Sequence, residues 1–148
     1  MGEARAVMDR FTEAVTTNPD LKVVADLFAV NAVALTPDAG ELHGREAIVA
    51  YWRTMTEAVP GARFTSSESY EIGDTAIDEG VYTGRNTGPI RLPDGETIPA
   101  TGKEVEIRGV DIAQVADGRI VSYRLYFDQL EFLSGLGLLP EEGQPAKP

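Results

Sequence analysis

Polar and apolar positions along this chain first follow a helical period and then a two-residue period. Val7, Met8, Phe11, Ala14 and Val15 recur at helical spacing, and Asn18-Pro19 ends that segment. Asp20 can cap a second helix whose apolar face is Leu21, Val24, Leu27 and Phe28. Ala32 to Thr36 predicts a short strand, and Pro37 to Gly44 reads as a loop. A third helix carries Ile48, Trp52, Met55 and Val59 on one face and stops at Pro60-Gly61. From there the period is that of strands. Phe64 to Ile72 and Thr75 to Thr83 flank Gly73-Asp74, a two-residue hairpin turn. Gly84 to Gly102 is dense in turn formers and predicts a short hairpin or a flap. Glu104 to Val115 and Ile120 to Phe127 are the longest strands, with Asp117-Gly118 as a type I′ turn between them. A short helix from about Gln129 to Gly135 closes the pattern, and Glu141 to Pro148 is a Pro- and charge-rich tail. Helices followed by antiparallel strands indicate an α+β fold, here one domain over 1–140. A curved sheet wrapped around helices leaves a cavity in which a small molecule can bind.

One position breaks the alternation. On the strand from Glu104 to Val115, the face Val105, Ile107, Gly109, Asp111, Ala113 and Val115 belongs against a core, yet it carries the carboxylate of Asp111. Burying a carboxylate is costly unless it is paired, hydrogen-bonded or protonated, so Asp111 is either a satisfied core group or an acid or base in a pocket. The face of the third helix adds Trp52 and Met55 as cavity candidates. His43 falls in the predicted loop. Asp128, followed by Glu131, reads as the N-cap of the last helix.

The net charge of −11 argues against nucleic acid and anionic membrane as partners, both of which need facing positive charge. With 43% hydrophobic residues among 148, the chain can bury a core. It has no cysteine and a single histidine, which excludes thiol nucleophiles and zinc–thiolate sites. No Gly-x-Ser-x-Gly, Gly-x-Gly-x-x-Gly, phosphate-loop or Asp-rich calcium-loop motif is present. No metal and no cofactor is therefore expected, and carboxylates and tyrosines are left to do any chemistry. The first residues lack the apolar core of a signal peptide and no run is long enough to span a bilayer, so a cytoplasmic protein is expected.

Several segments together resemble the SnoaL-like polyketide cyclase family. They are Pro99-Ala-Thr-Gly-Lys-Glu-Val-Glu-Ile-Arg-Gly-Val-Asp-Ile, Val115-Ala-Asp-Gly-Arg-Ile-Val, Tyr126-Phe-Asp-Gln-Leu and Leu136-Gly-Leu-Leu-Pro140. Gly84-Arg-Asn-Thr-Gly88 is similar to that family's Gly-Thr-His-x-Gly segment, and His43-Gly-Arg-Glu-Ala-Ile48 to its entry into the third helix. The likeness covers about residues 5–140. It implies the cone-shaped α+β fold of the nuclear transport factor two-like superfamily, which also holds ketosteroid isomerases and limonene epoxide hydrolases, and it implies a homodimer. It further implies that Tyr82, Tyr123, Leu125 and Phe127 face the pocket, with Ile107 beside Asp111 and Asn86 at the position of a family histidine.

The departures bear on mechanism. The family's acid/base aspartate falls at Leu125, and its pocket histidine falls at Asp111. The epoxide hydrolase Arg-x-Asp pair falls near Gly80 and Tyr82. The expected activity is a cofactor-free cyclase of a hydrophobic, polyketide-derived small molecule. Asp111 would shuttle a proton there with help from Tyr123 or Tyr82, or the cavity would close a ring by shape alone. The alternatives are a non-catalytic ligand-binding or dimerisation domain, and an isomerase or epoxide hydrolase with displaced residues.

Overall fold

In the computed structural model, residues 2–92 and 94–138 are described; the tail 141–148 lies outside them. The element order is α1 (Glu3–Val15), α2 (Leu21–Leu27), β1 (Phe28–Thr36), β2 (Gly40–His43), α3 (Arg45–Ala58), β3 (Arg63–Ile72), β4 (Thr75–Arg85), β5 (Ile90–Arg91), β6 (Thr97–Ile98), β7 (Glu104–Ala116), β8 (Arg119–Phe127) and α4 (Gln129–Gly135). Six strands form one curved sheet in the order β2-β1-β8-β7-β4-β3, and α1 to α3 fill its concave side. This is an α+β cone.

The helix ends follow local chemistry. Asp20 accepts the backbone N–H of Lys22 and Val23, and Asp128 accepts those of Leu130 and Glu131. Glu131 does not return the bond. Its carboxylate instead takes the backbone N–H and the guanidinium of Arg108 on β7. Gly2 has no capping side chain, and α1 is capped from outside: Glu71 Oε1 accepts Gly2 N–H at 2.8 Å and Oε2 accepts Arg5 N–H at 2.9 Å. A carboxylate at a helix N-terminus is favoured by the dipole as well as by these bonds.

Three expectations need correction. The sheet is mixed rather than wholly antiparallel, because β1 pairs with β8 in parallel. A parallel pair requires a long connection, and everything from β2 to β7 supplies it. The stretch Pro37–Gly44 is not all loop. Gly40–His43 pairs antiparallel with β1, and Leu42 is its one large apolar residue. Finally, simple alternation along the strand Ile120 to Phe127 puts Ile120 on the outer sheet face with Val110, Ile112 and Tyr126, yet it belongs to the core. The β7–β8 register runs Gln114↔Ser122 and then Val115↔Ile120, so Val121 is an extra, bulged residue. A one-residue slip exchanges the faces of everything beyond it. Asp117 and Gly118, both at positive φ, make the turn that the Asp-Gly pair predicts.

Phe11 centres the core. Its ring packs edge-on against Phe28 at 5.4 Å, Trp52 at 5.4 Å and Tyr123 at 5.0 Å. The segment Gly84–Gly102 forms the β5–β6 hairpin, and Asn86 anchors its base. Asn86 Nδ2 donates to the carbonyls of Ala58 and Gly88, and Oδ1 accepts from the backbone N–H and hydroxyl of Thr101, so both ends of the amide are saturated. Gly88 lies so close to the end of α3 that a Cβ there would collide with the Glu57 carbonyl. Replacing Asn86 with Ala strands several buried backbone groups. Chemical denaturation should show a loss of about 3 kcal/mol, with ligand affinity at the native fold unchanged.

Candidate active site

The inner face of β4, β7 and β8, together with α1 and α3, encloses a largely apolar cavity of about 70 Å³. Its apolar lining suits a hydrophobic ligand rather than a charged one. Of the residues expected from sequence, Trp52, Met55, Tyr82, Ile107, Asp111, Tyr123, Leu125 and Phe127 all line it. Phe11, Phe64 and Phe132 add aromatic wall that sequence reasoning did not assign to the pocket. Asn86 is a correction. It is fully buried at the foot of the β5–β6 hairpin, is spent on backbone, and does not reach the cavity. His43 is exposed on β2 and does not line the cavity either.

Asp111 faces inward from β7 because the strand's alternation puts it there, between Gly109 and Ala113. Tyr123 OH donates to its Oδ2 at 2.9 Å, while Oδ1 is buried without a partner among the described residues. Burial pushes the carboxyl up to about 7. The charge of Asp78 adds to the rise, and the Tyr123 hydrogen bond and Arg5 oppose it. Burial and the neighbouring Asp111 hold the Tyr123 phenol well above its usual range, so it stays a donor. Burial likewise raises Tyr82, so its phenol keeps its proton. A carboxyl that titrates near neutrality can give or take a proton with little energetic mismatch.

Behind Asp111 lies a group that sequence reasoning did not assemble. Arg5 Nη2 on α1 stands 2.7 Å from Asp78 Oδ2 on β4, and the same guanidinium reaches the exposed Asp9 at 2.8 Å. Asp78 is only 2% exposed and pairs in register with Asp111 across the β4–β7 ladder. Its signal was available, since it shares with Gly80 and Tyr82 the face of β4 that turns inward. The partnership with Arg5 was not, because 73 residues separate the two. Among the described residues, no three His, Cys, Asp or Glu side chains could hold a metal ion together. No helix there is long and apolar enough to cross a membrane.

An α+β cone with a largely apolar cavity and an inward carboxyl defines a class of small-molecule proteins. The chain belongs to the SnoaL-like domain family, whose model matches residues 8–123. No curated protein sequence matches it. Among solved structures, it is similar to a protein from Jannaschia sp. CCS1 assigned as a SnoaL-like polyketide cyclase. That match has 17% identity and a TM-score of 0.79, and covers 93% of this chain and 94% of that one. It is also similar to IdmH of Streptomyces antibioticus, assigned as a polyketide cyclase, at 25% identity and a TM-score of 0.73, covering 92% and 99%. An epoxide hydrolase from M. tuberculosis of the LEH-like type matches at 21% identity and a TM-score of 0.68, covering 90% and 89%.

Proposed function

We propose that this protein is a cofactor-free, cytoplasmic cyclase acting on a hydrophobic, polyketide-derived molecule, with Asp111 as the group that moves the proton. The observation that carries this reading is the Asp111 carboxyl itself. It sits on the wall of an aromatic cavity, is held at one oxygen by Tyr123, has the other oxygen free, and titrates near neutrality. Family membership and the cyclase neighbours support the reaction class.

In an aldol-type closure, Asp111 takes the proton from a carbon beside one carbonyl. The electron pair left there forms the new C–C bond to a second carbonyl carbon. The oxygen at that carbon, now an alkoxide, takes the proton back from Asp111. Tyr82 can donate a hydrogen bond to this oxygen as charge develops on it. The aromatic walls fold the chain so that the two carbons meet, and such positioning is worth several kcal/mol. The test is product formation from linear poly-β-ketone thioesters of graded length, with Asp111→Asn as the comparison. Tight binding of these compounds without turnover would favour the non-catalytic reading. That reading draws on Leu125, the apolar residue in register with Asp111.

The outer sheet face, with Val110, Ile112 and the half-exposed Tyr126 beside Glu106 and Arg124, is the proposed homodimer interface. Sedimentation should give a dimer for the native chain and a monomer for Tyr126→Glu. A monomeric native chain at micromolar concentration would sink the proposal.

A further inference from the structure

Three buried polar atoms in one cluster lack partners among the described residues: Arg5 Nη1, Asp78 Oδ1 and Asp111 Oδ1. Asp78 and Asp111 are register partners on neighbouring strands and point to the same interior face. Directly opposed side chains of this kind have Cβ atoms about 5 Å apart. Two carboxylates so close in a dry site resist ionising together. Geometry decides which one keeps the charge. Asp78 has the guanidinium of Arg5 at 2.7 Å, whereas Asp111 has only the neutral phenol of Tyr123.

We infer that Arg5 and Asp78 are positioning residues: Arg5 fixes negative charge on Asp78, and that charge tightens the hold of Asp111 on its proton. Asp78 does not line the cavity, so its effect on a substrate passes through Asp111. The placement of Arg5 depends in turn on Glu71, which grips the first turn of α1 by the backbone N–H groups of Gly2 and Arg5. The other ionisable groups around Asp111 complete the picture. Tyr82 on β4 and Tyr123 on β8 keep their protons. Tyr51 on α3 donates to Asp38, and Asp9 sits on the far, exposed side of Arg5. Asp78 is thus the anion nearest Asp111, and Arg5 the cation nearest the pair.

This inference rests on the reading of Asp111 as the proton-moving group, but its test needs no turnover. The side-chain carboxyl carbons of the intact protein can be followed by carbon-13 NMR against pH. Removing a neighbouring anion must lower the Asp111 midpoint, and removing a neighbouring cation must raise it. Asp78→Asn should therefore shift the midpoint down by about one unit or more, and Arg5→Gln should shift it up by a similar amount. Asp9→Asn should leave it within a few tenths of a unit. A merely structural role for the Arg5–Asp78 pair would not give opposite signs. In the native protein the Asp78 carboxyl carbon should also show an inflection at the Asp111 midpoint, which keeps the test decisive if a variant does not fold. An unmoved or raised midpoint in Asp78→Asn, or no inflection at Asp78 in the native chain, overturns the inference. Failure of every substrate probe would count against the cyclase reading while leaving this titration intact.

Discussion

Asp111→Asn reduces turnover of a poly-β-ketone probe by about 10²–10⁴-fold, the range expected when a positioned acid–base group is lost. Asn has nearly the same shape and can still accept the Tyr123 hydroxyl, so the cavity keeps its form. What disappears is a group able to take a proton from carbon and return it to oxygen. KM should change little, because the apolar wall that binds the substrate is intact. A variant with full kcat would show that ring closure proceeds by shape alone.

The second large effect is on stability. The folded-state carboxyl of Asp111 lies at about 7 against an ordinary 3.8. Between those values the folded chain holds a proton that the unfolded chain has released. Stability contributed by Asp111 is therefore fully present below about pH 4 and is lost as pH rises through about 7. The loss amounts to up to about 4 kcal/mol. Asp111→Asn has no such dependence. Its stability relative to the native chain should rise across that window by a comparable amount and level off above it. Denaturant titrations of the two proteins at matched pH values measure the difference. A gap that stays constant from pH 4 to pH 8 would show that Asp111 is not held protonated by burial.

Local chemistry explains why much of the fold could be read in advance. Asp20, Asp128 and the Asp117-Gly118 turn act within a few residues of themselves, so their signals survive in sequence. Asp111 was legible for the same reason, since a lone carboxylate on an otherwise apolar strand face needs no partner to be noticed. Features set by pairing were not legible. The Val121 bulge depends on how β7 and β8 meet, and it moved Ile120 from the outer face to the core. Strand β2 hides because one apolar residue, Leu42, among turn formers carries no period. Asn86 was assigned to the pocket through its place in a family motif, but its side chain is spent on backbone groups that only the fold brings near. Arg5 escaped notice because its partner Asp78 arrives from another element altogether.

The pH dependence of kcat, measured in parallel for the native protein and Asp111→Asn, tests the central claim most directly. With Asp111 moving the proton, the native profile bends near pH 7 and the variant's residual rate shows no bend there. A native profile that is flat from pH 5 to pH 9, or a bend near 7 that survives the substitution, would contradict the assignment of Asp111.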